Sequence, residues 1–108
     1  ESDIGPVCAS LEEHSGEPVS LDQLGEVAGL SKYYLLRSFT KQKGISPYRY
    51  LETIRIAKAR KLLERNVPMI EVALQTGFAD QSHFSRFFKR LIGVTPRQYA
   101  EIFGGRQA

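Results

Sequence analysis

"DQSHFSRFFKRLIGVTPRQY", residues Asp80–Tyr99, sets three Phe among four cations and closes on a Gly-Val-Thr-Pro run. An earlier stretch, "SKYYLLRSFTKQKGISPYRY" (Ser31–Tyr50), falls onto it at an offset of 49 positions: Arg37 lands on Arg86, Phe39 on Phe88, Gly44 on Gly93, Pro47 on Pro96 and Tyr50 on Tyr99. Upstream the match continues at an offset of 48, with Leu24, Gly25, Gly29 and Leu30 on Val72, Ala73, Gly77 and Phe78, so the second copy gains one residue in its turn. Each copy reads as a short helix, a glycine turn and a longer capped helix, which is helix-turn-helix grammar. Gly25 and Ala73 are small where two helices must come close, and Gly29 and Gly77 supply the permissive backbone of a tight turn. The period is too long and the copies too few for a solenoid.

The rest of the chain is punctuated into helices, and no window sustains strand alternation. Residues 5–15 carry Pro6 near a start and Val7, Cys8 and Leu11 as an apolar stripe. "GEPVS" is a loop, and Ser20 with Gln23 has capping-box spacing before "LDQLGEVA", which sets Leu21, Leu24, Val27 and Ala28 on one side. Ser31 caps a helix to about Lys43. Ser46-Pro47 opens a helix to about Arg65, roughly 27 Å long at the α-helical rise. Asn66-Val67-Pro68 starts a short helix to about Gln75, Asp80 caps one to about Ile92, and Thr95-Pro96 opens the last, to about Phe103. The tail 104–108 is expected to fray. The expected fold is all-α: seven helices forming two helix-turn-helix subdomains, 1–46 and 66–108, joined by a long linker helix, 47–65.

Helical geometry separates two faces of each copy's second helix. Leu35 and Phe39, and Phe84, Phe87, Phe88 and Leu91, point to the core. The opposite faces carry Tyr33, Leu36, Arg37 and Thr40 in one copy and Ser82, Ser85, Arg86 and Lys89 in the other, with Lys32 and Gln81 at the N-termini. An α-helix fits the DNA major groove, Arg pairs bidentately with guanine and Gln with adenine, and successive major grooves on one flank lie about 34 Å apart. Two presented helices on one chain suit that lattice. Ser46 and Thr95, at helix N-termini, are candidate phosphate contacts. Lys41, Lys43, Lys89 and Arg90 read as solvated or phosphate-seeking, and Arg55, Lys58, Arg60 and Lys61 as surface.

Composition narrows the partners. With 42% hydrophobic and 25% charged residues in 108, a globular domain is expected. Residues 1–31 contain no Lys or Arg, whereas 32–108 hold all fifteen, and such an uneven net charge of +3 favours an anionic partner. One cysteine, Cys8, excludes an internal disulfide and a thiol zinc cluster and fits a reducing compartment, so a cytoplasmic site is expected. His83 has only His14 as companion, so no metal is expected, nor any cofactor. No catalytic set or phosphate-binding glycine loop is evident, and the chain does not read as an enzyme. The rival binding role, a helical protein-interaction module, would present an apolar stripe where these faces are polar and basic. No apolar run reaches a membrane span. The only Met is Met69, so the chain reads as one domain of a longer protein.

The motifs "AGLSKYYLLRSFTKQKGISPYRYL" and "ALQTGFADQSHFSRFFKRLIGVTPRQY" resemble the DNA-binding domain of the AraC/XylS family of bacterial transcription regulators, over about residues 4–103. The resemblance implies two helix-turn-helix subdomains joined by a long helix, each placing one helix in adjacent major-groove segments of double-stranded DNA. By position, the base-facing residues would be Lys32, Tyr33, Leu36 and Arg37, then Gln81, Ser82, Ser85 and Arg86. Leu36 stands where a polar residue is frequent, which suggests contact with a thymine methyl. The resemblance also implies an activator that touches RNA polymerase, and a further domain for effector sensing or dimerisation.

Overall fold

The computed structural model describes residues 2–105. Among them are seven helices and no strand: α1 (Gly5–Glu13), α2 (Leu21–Ala28), α3 (Lys32–Lys43), α4 (Pro47–Glu64), α5 (Met69–Thr76), α6 (Gln81–Ile92) and α7 (Pro96–Phe103). The all-α expectation of seven helices holds. Packing divides the chain into two compact units, Glu1–Ile54 and Arg55–Ala108.

Local chemistry sets the helix starts. The first N–H groups of a helix have no intrahelical acceptor, and a short polar side chain just before it supplies one. Ser20 accepts from the Gln23 N–H at 3.1 Å, Ser31 from Tyr34 at 3.4 Å, Ser46 from Arg49 at 3.1 Å and Asp80 from His83 at 2.7 Å. Thr95 forms a complete capping box: its hydroxyl accepts from the Gln98 N–H at 3.1 Å, and its own N–H donates to Gln98 Oε1 at 2.9 Å. α5 starts without a side-chain cap, after Pro68. The turns α2–α3 and α5–α6 begin at Gly29 (φ 69°) and Gly77 (φ 87°), where a Cβ would be strained. In both, an N–H reaches back five residues to the small one: Leu30 to Gly25 O at 2.8 Å, Phe78 to Ala73 O at 3.2 Å.

In the first unit, Val7 and Leu11 of α1, Leu24 of α2, Leu35 and Phe39 of α3 and Leu51 of α4 form the core. In the second, Leu63 of α4, Val72 of α5, Phe78, Phe84 and Phe88 do so, closed by Tyr99 of α7. Burying each such aromatic or aliphatic side chain stabilises by about 1.5–3 kcal/mol. The repeat extends to ring geometry. Phe39 meets Tyr50 edge-on at 5.4 Å and 82°, and Phe88 meets Tyr99 at 5.4 Å and 72°. Tyr99 adds polar anchors: its hydroxyl donates to the Glu64 carboxylate and accepts from Arg60 Nε at 3.2 Å.

Several expectations are corrected. Leu91 is 40% exposed, although it lies on the Phe face of α6. It lies at the edge of the stripe formed by Phe84 and Phe88, and half-buried Ile92, one turn after Phe88, packs at that end instead. Val27 is likewise exposed at the end of α2. Arg55 is buried rather than surface; its guanidinium carbon lies 6.0 Å from the centre of the Phe78 ring, where cation and π-face attract and the aliphatic stem packs. α1 stops at Glu13, with buried Ser15 in the turn that follows. Gly105 does not fray: its N–H donates to Glu64 O at 2.8 Å and its carbonyl accepts from Asn66 Nδ2 at 2.5 Å. The expected fraying of 106–108 lies outside the described residues.

Candidate nucleic-acid interface

Because Leu35 and Phe39 are fully buried, the opposite face of α3 must meet solvent. Lys32, Arg37 and Thr40 are exposed, Tyr33 is 62% exposed and Leu36 37%. Phe84 and Phe88 fix α6 in the same way, leaving Gln81, Ser82, Arg86 and Lys89 exposed. Ser85 is only half-exposed, with its hydroxyl 3.9 Å from the Met69 sulfur. Each unit therefore turns outward the face that the sequence marks as polar.

Several of these side chains already have partners within the chain. Lys32 Nζ sits 3.7 Å from Asp22 Oδ1, an exposed ion pair that contributes little to stability. Arg37 Nη1 donates to the Tyr33 hydroxyl at 3.1 Å. Leu36 forms part of the wall of an apolar cleft of about 220 Å³ in the first unit, together with Leu21, Leu24, Pro47 and Tyr48, so its partial burial has a packing reason. Ser46 and Thr95 are half-buried and their oxygens serve as caps; their hydroxyl hydrogens remain to donate. Lys41 and Lys43, and Lys89 and Arg90, sit in the last turns of α3 and α6, where cations complement the helix dipole. Lys43 and Arg90 also lie over the rings of Tyr50 and Phe87, at 5.9 and 5.8 Å.

Sequence reasoning missed two exposed side chains here. Tyr34 is 61% exposed and meets Tyr33 edge-on at 5.3 Å. Its repeat partner, His83, is instead half-buried against Phe78 and Phe87, so the copies disagree at this position. Arg97 is exposed in the first turn of α7, two residues after Thr95. A cation beside a candidate phosphate-binding cap was the available signal.

Two capped helices, each following a short helix and a glycine turn and each showing a polar face, define a helix-turn-helix domain of the type carried by transcription regulators. Comparison with known proteins bears this out. The family described as "Helix-turn-helix domain" matches residues 24–102. The chain is 60% identical over 81 residues to the uncharacterized HTH-type transcriptional regulator YbfI of Bacillus subtilis, covering 75% of this chain and 30% of that protein. It is 38% identical over 106 residues to the HTH-type transcriptional activator RhaS of Escherichia fergusonii, covering 97% of this chain and 37% of that one. The chain thus spans about a third of the length of these curated relatives. A solved structure of the DNA-binding domain of AdpA, in complex with a target DNA, superposes with a TM-score of 0.87 at 28% identity, covering 95% of this chain and 94% of that one. The chain belongs to the AraC/XylS family of helix-turn-helix transcription regulators. No helix among the described residues is long and apolar enough to cross a membrane.

Proposed function

We propose that this chain is the sequence-specific double-stranded DNA-binding domain of a bacterial transcription regulator, and that α3 and α6 enter adjacent major-groove segments. The observation that carries the reading is the repeated register. Arg37 and Arg86 occupy the same position of two copies of one unit, both exposed, while Phe39 on α3 and Phe84 and Phe88 on α6 are fully buried on the opposite faces. On this reading Tyr33, Leu36 and Arg37 with Lys32 face one segment, and Gln81, Ser82, Ser85 and Arg86 the other. Ser46 and Thr95, at the N-termini of α4 and α7, donate to phosphates, as does Arg97. The exposed cations of α3 and α6 supply the sequence-independent part of affinity. Lys32 must leave Asp22 to take part, a small cost for a pair this exposed.

The intact protein would work in the cytoplasm, where the DNA is. It would be an activator touching RNA polymerase, as the name of its relative RhaS suggests, with another domain for effector sensing or dimerisation. The domain's role is binding rather than catalysis. Selection of bound duplexes from a random-sequence pool tests the core claim. The expected product is an asymmetric site with two short boxes about 10 base pairs apart, whose affinity falls steeply with salt. Recovery of no common sequence, or binding indifferent to salt, overturns it.

A further inference from the structure

The two outward faces are equivalent in register but not in construction. In α3 the Arg37 guanidinium donates to the Tyr33 hydroxyl one turn earlier, at 3.1 Å. The Tyr33 ring is itself set by Tyr34, whose ring meets it edge-on at 5.3 Å and 80°. In α6 the same three positions hold Ser82, His83 and Arg86. His83 turns away into Phe78 and Phe87, and Arg86 has no hydrogen-bonding or ionic partner among the described residues. Neither Tyr33 nor Tyr34 contributes to the core of its unit, each being more than half exposed. The fold therefore gives no packing reason for two adjacent tyrosines at this place.

We propose that Tyr33 is a positioning residue for Arg37, so that α3 meets DNA with its arginine already aimed while α6 does not. This rests on the reading of α3 as a base-contacting helix. An arginine has five N–H donors in a rigid plane, so one bond to Tyr33 leaves the opposite edge free for the paired acceptors of guanine. It also removes rotamer freedom before binding rather than during it. Ordering a long side chain at an interface costs enough that relieving the cost changes affinity about two- to ten-fold. The consequence is an unequal site: the box under α3 tolerates less base change at its arginine position than the box under α6.

The test uses the chain itself and the duplex it selects from a random pool, with all four bases placed in turn at each position. R37A identifies the base pair that Arg37 reads, and R86A does the same in the other box. Tyr33→Phe keeps the ring and removes only the hydroxyl. The expected result is a three- to ten-fold weaker complex, flattened preference at the Arg37 base pair alone, and an unchanged melting midpoint. Adding Tyr33→Phe to R37A should then have no further effect, while S82A and R86A combine additively. Y33F binding like the parent, with R37A still flattening its base pair, overturns the brace and leaves DNA reading by α3 intact. An equal loss from Y33F in the parent and in the R37A background also overturns it, because the hydroxyl would then act on DNA directly. If R37A leaves every base preference untouched, the reading of α3 itself falls and the brace with it.

Discussion

Gly25→Ala should destabilise the first unit, and the structure gives both the size of the effect and its remedy. A Cβ at Gly25 would lie 2.5 Å from the Leu30 carbonyl oxygen, a backbone atom, with the carbonyl carbon at 3.6 Å. Leu30 cannot simply withdraw, because its own N–H is bonded back to Gly25 O at 2.8 Å and the next residue, Ser31, caps α3. Reaching ordinary van der Waals contact needs a retreat of roughly 0.9 Å, and overpacking of this kind costs about 1–3 kcal/mol. The gain in helix propensity from Gly to Ala returns about 1 kcal/mol. The net loss is up to about 2 kcal/mol, a fall of up to about 15 °C in Tm for a unit of this size. The second copy already carries Ala at the equivalent position, and it carries Ala79 as an extra residue between Phe78 and the cap Asp80. Inserting one Ala between Leu30 and Ser31 in G25A should therefore recover at least half of the lost Tm, measured by circular dichroism at 222 nm. A G25A chain that melts at or above the parent refutes the close-approach argument. An insertion that recovers nothing refutes the spacing argument alone.

Three further outcomes follow from individual contacts. Arg37→Ala and Arg86→Ala should each weaken the selected duplex about ten- to a hundred-fold, the range of a lost bidentate base contact, with Tm unchanged; titration at one fixed salt concentration checks this. Tyr99→Phe removes the hydroxyl that joins Glu64 and Arg60 while keeping the ring against Phe88, so thermal melts should show a loss of about 1–2 kcal/mol. His14 has its pKa raised above 6.5, first by its hydrogen bond to Glu17 and then by that carboxylate's charge. A raised folded pKa means the contribution is fully present below pH 6.5 and disappears as pH rises through the folded value. Parent and His14→Gln should thus differ slightly in Tm at pH 5.5 and coincide at pH 8.5; a difference that grows with pH contradicts the sign.

Punctuation made most of this fold legible. Ser20, Ser31, Ser46, Asp80 and Thr95 announce helix starts by chemistry that acts within three residues, and each is found capping. What stayed hidden depends on neighbours distant in the chain. Periodicity puts Leu91 beside the Phe face, but does not tell that Ile92 rather than Leu91 packs at that end of α6. It marks Arg55 as charged, but not that Phe78 lies across from it. Nor does the repeat show that Tyr34 stays exposed while its counterpart His83 enters a niche between Phe78 and Phe87.

Comparing the copies position by position separates what the fold requires from what it leaves free. Phe39 and Phe88 agree and are fully buried, and Tyr50 and Tyr99 agree and stack on them with the same separation. Packing accounts for those identities. On the outward faces packing constrains the choice less, reaching Leu36 at its cleft and Ser85 beside Met69, and there the copies do diverge: Lys32 against Gln81, Tyr33 against Ser82, Leu36 against Ser85. Arg37 and Arg86 are the exception, exposed yet identical. They do not share an intramolecular reason either, since one is bonded to a tyrosine and the other to no side chain among the described residues. On the reading proposed above, an arginine at one register in two units that otherwise differ in their exposed chemistry serves a common external acceptor with a planar pair of lone pairs. The diverging positions around it are what would let the two helices prefer different sequences.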